Sequence, residues 1–269
     1  MGSVALPERP FFGLSPLVRH NGYTDPVVSN DEMYVGADGC SDGWIAVVYT
    51  DEGFEAVSHH PDVRDLWATY SAAERVLLDV PIGLRADSAE PRACDAAARA
   101  KLSPERHASV FPTPVRAAAH EDSYEAAKAT QERLTDGSLN RQSWGIAPKI
   151  AAVDDLLVET DARARVRECH PEVCFWAFAG RPMEYSKTRA PGPAYWERVG
   201  TLRRVEVDVY DHLWTAAQAD LGATTTDDLV DAFAVALTAR GDAAGLATLP
   251  EDPEHDERGL PMEIVYRPR

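Results

Sequence analysis

Three short runs rich in apolar and β-branched residues open the patterned part of the chain, at residues 33–37, 44–50 and 54–59. The triplets Ser41-Asp42-Gly43 and Asp51-Glu52-Gly53 separate them, and both are strong tight-turn signals, so the spacing predicts an antiparallel meander. A helix is predicted over 61–73, where Val63, Leu66, Trp67 and Tyr70 recur at helical spacing. The run RVLLDV at 75–80 has the continuous apolar character of a buried parallel strand, and Pro81 ends it. Helical patterns follow over 91–102, 114–134 and 148–160, a strand at 165–169, a loop at 180–192, helices over 193–219 and 226–239, and an edge strand at 262–266. Residues 1–32, rich in Pro, Gly, Asn and Ser, read as an irregular extension ahead of one folded domain over 33–269.

This order of elements predicts an α/β fold. Three hairpin-linked strands followed by right-handed crossovers give a mixed five-stranded sheet with helices on its faces. Its first, fourth and fifth strands run parallel, the first lies beside the fourth, and ligands gather at the carboxyl ends of such strands.

Charge changes the picture in one respect. There are 44 acidic against 27 basic residues, a net charge of −17, and the lysines are only Lys101, Lys128, Lys149 and Lys187. Abundant carboxylate, scarce lysine and many alanines resemble the composition of proteins from salt-loving archaea, whose acidic surfaces keep them soluble in molar salt. At ordinary ionic strength such a charge argues against nucleic acid. In molar salt repulsion is screened within about 3 Å, so a nucleic-acid or nucleotide substrate is permitted without being supported. No apolar run approaches the roughly 20 residues that a membrane helix needs, so no membrane partner is expected. The first residues lack a basic stretch leading into an apolar one, so a cytoplasmic protein is expected. Cys40, Cys94, Cys169 and Cys174 are too scattered for a disulfide scaffold, and Cys169-His170 with Cys174 lacks the second cysteine pair of a structural zinc site.

The chemistry is announced by carboxylates in apolar surroundings. Between Leu229 and Ala239 only Asp231 and Thr238 are polar, so the last long helix is apolar all round and reads as buried. An aspartate there costs several kcal/mol unless it is paired, hydrogen-bonded or bound to metal. Asp228 precedes Asp231 by one turn on the same side. Asp79 is the only charge between Val76 and Ile82, and Asp38 ends the first strand with Gly39 behind it. Carboxylates converging from these three elements repel unless a divalent cation neutralises them, and hard oxygen ligands suit Mg²⁺ or Mn²⁺. The plainer alternatives are a helix cap for Asp228 and hydrogen-bonded turn carboxylates for Asp38 and Asp79.

A second cluster, Glu168-Cys169-His170-Pro171-Glu172, falls at the end of the fifth strand. Glu168 is a candidate fifth metal ligand, with Glu172 as the alternative, and His170 a candidate to move a proton or orient a phosphate. Of the basic residues near this edge (Arg85, Arg92, Arg99, Arg106, Arg116, Lys149 and Lys187), Arg116, Lys149 and Lys187 are taken as candidates for substrate binding. Gln142, Trp144 and Lys149 lie in an irregular stretch between helices, where binding residues often sit.

The segments GADGCSDGWIAV, LLDVPIGL, RACDAAARAKLSPERHASVFPTPVRAA, QSWGIAPKI, ECHPEVCF and DDLVDAFAVALTA occur in the order and spacing of one family. Over residues 33–268 the chain resembles domain of unknown function 429, described as predicted ribonuclease H-like nucleases. The resemblance implies a ribonuclease H-like fold and a nuclease role. In the wider superfamily the Holliday-junction resolvase branch is similar in carrying an Asp on the first strand, an acid on the fourth and a D/HxxD pair on the last helix. Asp38, Asp79 and Asp228 with Asp231 match those positions. The fourth-strand acid is Asp here, where Glu is usual in that branch, so the ligand is one methylene shorter and two-metal geometry is in question.

The expected function is therefore a metal-dependent phosphodiester hydrolase. Asp38, Asp79, Asp228 and Asp231 would hold Mg²⁺ or Mn²⁺ and carry the catalysis, with His170. The alternative is a non-catalytic binding or regulatory module with a degenerate site. An actin-like phosphotransferase, prompted by the glycine-rich turn at 38–43, would need two such lobes, and the chain has room for one.

Overall fold

The computed structural model of the chain describes residues 32–241 and 245–269. The irregular extension expected over 1–32 falls, save for residue 32, outside the described residues. The meander forms as its turn triplets dictate: β1 (Tyr34–Cys40), β2 (Gly43–Thr50) and β3 (Gly53–His60) pair antiparallel. Then come α1 (Val63–Tyr70), capped by the Asp62 carboxylate, and β4 (Arg75–Leu78). Next in order are α2 (Ala93–Leu102), α3 (Arg116–Ala119), α4 (Tyr124–Leu134), α5 (Arg141–Glu159), β5 (Val166–Glu168), α6 (Pro171–Ala179), α7 (Pro191–Leu202), α8 (Val209–Ala216), α9 (Thr226–Arg240), β6 (Ala247–His255) and β7 (Pro261–Tyr266). The main sheet has the order β3-β2-β1-β4-β5, with β1, β4 and β5 parallel. It is a mixed five-stranded sheet flanked by helices.

Strand alternation divides the core. Val35, Ala37, Ala46, Val48, Val76 and Leu78 face α1 and α5, while Tyr34, Ile45, Val47, Tyr49 and Leu77 face α9 and the helices around it. The packing of α9 depends on Gly36. A Cβ there would lie 2.0 Å from the Ala236 backbone nitrogen and 2.4 Å from the Val235 carbonyl carbon. Backbone cannot yield as a flexible side chain does, so only hydrogen at Gly36 lets the helix lie directly on β1. Gly36→Ala is expected to destabilise the protein by about 3 kcal/mol, the upper end for overpacking. In a thermal melt that lowers Tm by roughly 6 to 12 °C; an unchanged Tm would contradict this packing.

Four expectations are corrected. The helix predicted over 114–134 is two, because Ser123 starts α4 afresh by accepting the Ala126 N–H. The helix over 193–219 breaks into α7 and α8, a turn that returns Val209 and Leu213 to the core already occupied by Leu202. The stretch holding Gln142, Trp144 and Lys149 is helical, because Asn140 caps α5 through the Ser143 N–H. Pro148 sits inside α5 on its exposed side, where it offers no N–H to the Trp144 carbonyl. Finally, residues 262–266 do not edge the main sheet: β7 pairs with β6 in a separate hairpin, linked to the β5 region by an isolated bridge between Cys169 and Val265 and by the Arg167–Glu263 ion pair.

Candidate metal centre

Parity and register bring the carboxylates together. Asp38 follows Tyr34 and Gly36 on the α9 face of β1. Asp79 lies just beyond β4 with the parity of Leu77, and its N–H extends the ladder to the Ala37 carbonyl at 3.0 Å. Asp231 comes from α9, which crosses β1, β2 and β4. Asp38 and Asp231 are both buried, and Asp79 is half-buried.

Each carboxyl is lifted above the ordinary carboxylate range. For Asp38 burial is the main cause, followed by the charges of Asp79 and Asp231, with Lys187 pulling the other way. For Asp79 burial raises it against the lowering pull of His170, Lys187 and a side-chain hydrogen bond with Asp38. Asp231 is pushed up to about 6 by burial, despite its ion pair with Lys187. One Asp231 oxygen accepts from Lys187 Nζ, while Oδ1 is buried with no hydrogen-bond partner among the described residues. A buried carboxylate oxygen left unpaired is costly, so this one is a candidate to accept from a ligand.

The site opens into a cleft of about 770 Å³, whose lining includes Asp79, His170, Glu172, Lys187 and Asp231. His170 caps α6: its Nδ1 accepts the Glu172 N–H at 3.1 Å, which places the ring proton on Nε2, 3.4 Å from the Ser109 carbonyl. Glu172 is buried and pairs through Oε1 with Arg198, leaving Oε2 without a partner among the described residues. Arg106, His107 and Arg189 stand on the cleft wall beside acidic residues that include Asp95 and Glu105.

Other expected residues lie elsewhere. Asp228 is half-buried and closes a capping box, accepting the Thr225 N–H at 2.8 Å, although its charge still bears on Asp38. Glu168 pairs in register with Leu78, and therefore on the opposite face of the sheet from Asp38 and Asp79. Both its oxygens are taken by Arg92, at 2.7 and 2.8 Å, and Oε2 also accepts the Ile82 N–H at 2.6 Å. It is a salt-bridge partner, not a member of the aspartate cluster. Arg116 is likewise committed, its guanidinium shared by Asp154, Asp256 and Glu257, so it holds α3 to α5 and to the β6–β7 turn. Lys149 lies behind the site: Nζ donates to the Gly43 carbonyl at 2.8 Å and stands 5.3 Å from the centre of the Trp44 ring, with its stem against Gly39. Of the three basic candidates, only Lys187 reaches the carboxylates.

Among the described residues three groups bring possible metal-donor atoms within 4.8 Å of one another: Cys40, Asp42 and His59; Cys94, Asp95 and Glu168; and His120, Asp154 and Asp155; the Asp38, Asp79 and Asp231 carboxylates are not so closely gathered. In the second Arg92 already neutralises the acids, and in the third Arg116 and Arg258 reach Asp154. Among the described residues no helix is long and apolar enough to cross a membrane.

Fold and site together define a class: an α/β protein with a mixed five-stranded sheet and a buried carboxylate cluster at the carboxyl ends of its parallel strands. The chain belongs to the family described as protein of unknown function (DUF429), whose family model matches residues 36–255. No curated protein and no solved structure matches it.

Proposed function

We propose that the protein is a divalent-metal-dependent phosphodiester hydrolase with a ribonuclease H-like sheet, acting on nucleic acid or a nucleotide. The observation that carries the reading is that Asp79 and Asp231 line one cleft, that their charges bear on the buried Asp38, and that Asp231 Oδ1 is buried and unpartnered among the described residues. That donor set fits Mg²⁺ or Mn²⁺. A cation held there would polarise a phosphoryl oxygen. The protein's own groups do the rest. Asp38 and Asp79 fix the site from adjacent strands, and Asp231 closes it from the helix. His170 holds a proton at Nε2 on the cleft wall. Lys187, Arg106 and Arg189 offset the charge of an incoming phosphate. One contact favours a second reading, a binding or regulatory module with a degenerate site: the Lys187 ammonium already satisfies one oxygen of Asp231.

The two readings separate in a cleavage assay. Wild type and Asp38→Asn would be incubated with Mn²⁺ and single-stranded RNA, branched DNA or nucleotides. Hydrolysis of at least one substrate by wild type, falling to the blank rate in the variant and in chelator, is the expected result. Cleavage that survives both would sink the assignment, and specific binding of a substrate without any Mn²⁺ affinity would favour the second reading.

A further inference from the structure

We infer that the centre takes one divalent cation, not two, with the Lys187 ammonium occupying the place and supplying the charge of a second. The inference rests on the metal-centre reading above.

The first support is a shortage of ligands. Six acidic residues lie near the carboxyl ends of the parallel strands. Both oxygens of Glu168 are taken by Arg92, Asp228 is drawn to the Thr225 N–H, and Glu172 has one oxygen on Arg198 and its Oε2 unpartnered among the described residues. Asp38, Asp79 and Asp231 are the three whose charges bear directly on one another, a set that suits one ion completed by water or substrate oxygens. A two-ion centre with its metals about 4 Å apart is favoured by a carboxylate that can offer one oxygen to each. Asp231, on the helix that crosses both strands, has one oxygen on Lys187 and the other unpartnered. The shorter Asp79, where a glutamate would reach further, works in the same direction.

The second support is charge. Three ionised aspartates less one ammonium leave two negative charges, which a single divalent ion neutralises. A second would leave a buried excess of positive charge, which a low-dielectric site resists. Lys187 acts on the whole group: its charge bears on Asp38 and Asp79 as well as on Asp231.

The third support is that Lys187 is delivered by a fastened loop. Between α6 and α7, the Glu184 and Tyr185 N–H groups donate to the Glu197 carboxylate at 2.9 to 3.0 Å. The buried Arg198 donates to the Tyr185 carbonyl at 3.1 Å, and the Ser186 and Thr188 hydroxyls meet at 3.1 Å. A surface lysine that drifts onto a carboxylate has no such framework. Arg198 therefore ties two parts of the site together, neutralising Glu172 and holding the segment that carries Lys187.

Titration of the full chain with Mn²⁺, followed by calorimetry and by electron paramagnetic resonance, reads the number of ions directly. Wild type is expected to bind one Mn²⁺ per chain with the spectrum of an isolated ion. Lys187→Ala is expected to bind two with the spectrum of a spin-coupled pair, and Lys187→Arg, which keeps the charge, to bind one. Two ions in wild type would overturn the inference while leaving the metal-centre reading intact, since Lys187 would then be a displaceable placeholder. One ion in a folded Lys187→Ala would remove the lysine from the role of second cation. No binding by wild type would instead overturn the metal-centre reading, and this inference with it.

Discussion

Asp38→Asn is expected to abolish saturable Mn²⁺ binding and, in metal-free protein at neutral pH, to melt no lower than wild type. The physical reason is that the three aspartates are strained without a cation. Burial holds Asp38, Asp79 and Asp231 above the ordinary carboxylate range, and repulsion from neighbouring aspartates adds to it at Asp38 and Asp231. A carboxyl whose folded pKa is raised binds its proton more tightly in the folded state. Its stabilising contribution is complete below the unfolded value of about 4 and is lost as pH rises through the folded value. For Asp231 that places the loss between about pH 4 and about 6. Metal-free wild type should therefore lose stability from this site across that window, and Asp38→Asn, lacking one of the interacting charges, should lose less. Mn²⁺ at a hundredfold excess over its Kd would add about 2.7 kcal/mol to wild type at pH 7. That raises Tm by roughly 5 to 10 °C, and the increment should vanish in the variant. Scanning calorimetry at pH 4 and pH 7, with Mn²⁺ and with chelator, measures both effects. An equal Mn²⁺ shift in Asp38→Asn would remove Asp38 from the ligand set.

Much of this site is legible before any coordinates, and the reason is periodicity. The turn triplets fix the meander, RVLLDV marks the central parallel strand, and an aspartate in an otherwise apolar helix can only be a buried one. Together these predict that β1 and β4 are neighbours and that Asp38, Asp79 and Asp231 share one region. What fails is information that depends on register and on long-range partners. Glu168 is one strand away from Asp79 along the same edge, but its pairing with Leu78 turns it to the other face. That is a two-residue-period argument that needs the register, not the composition. Asp228 stands on the correct side of α9 and is nevertheless drawn off by its own backbone, because an acid at the third helical position competes for the cap. Lys187 sits in a loop without pattern and Arg198 on an ordinary amphipathic helix, so no local signal marks either. The β6 strand is hidden because ATLPEDPEH carries two prolines and four charged or titratable side chains, and its pairing with β7 shifts register between Leu249 and Glu254.

Arg92→Met is expected to destabilise the protein by about 3–5 kcal/mol, the cost of leaving buried acids without their cation. Arg92 is 2% exposed, and its guanidinium is enclosed by acceptors: Asp95 at 2.6 and 2.9 Å, Glu168 at 2.7 and 2.8 Å, and the Ile82 and Gly83 carbonyls at 2.7 and 3.2 Å. Burial lifts Glu168 to about 7 even with Arg92 pulling the other way. Removing the arginine therefore drives Glu168 to take up a proton and leaves Asp95 with the Thr113 hydroxyl and the Cys94 thiol as its side-chain partners. The damage reaches the metal centre, because Ile82 and Gly83 follow Asp79 by a few residues and Glu168 precedes His170 by two. Arg92 thus ties the ends of β4 and β5 to α2, and Mn²⁺ affinity should fall along with Tm. Lysine at this position cannot reproduce a planar fork shared by two carboxylates and should recover little. The triple replacement Arg92→Met, Asp95→Asn and Glu168→Gln removes the charges together and should recover most of the stability, since it is the uncompensated charge that costs. Denaturant unfolding of the three proteins decides the matter: a single variant as stable as wild type, or a triple variant no better than the single, would show that charge pairing at Arg92 does not hold the strand ends in place.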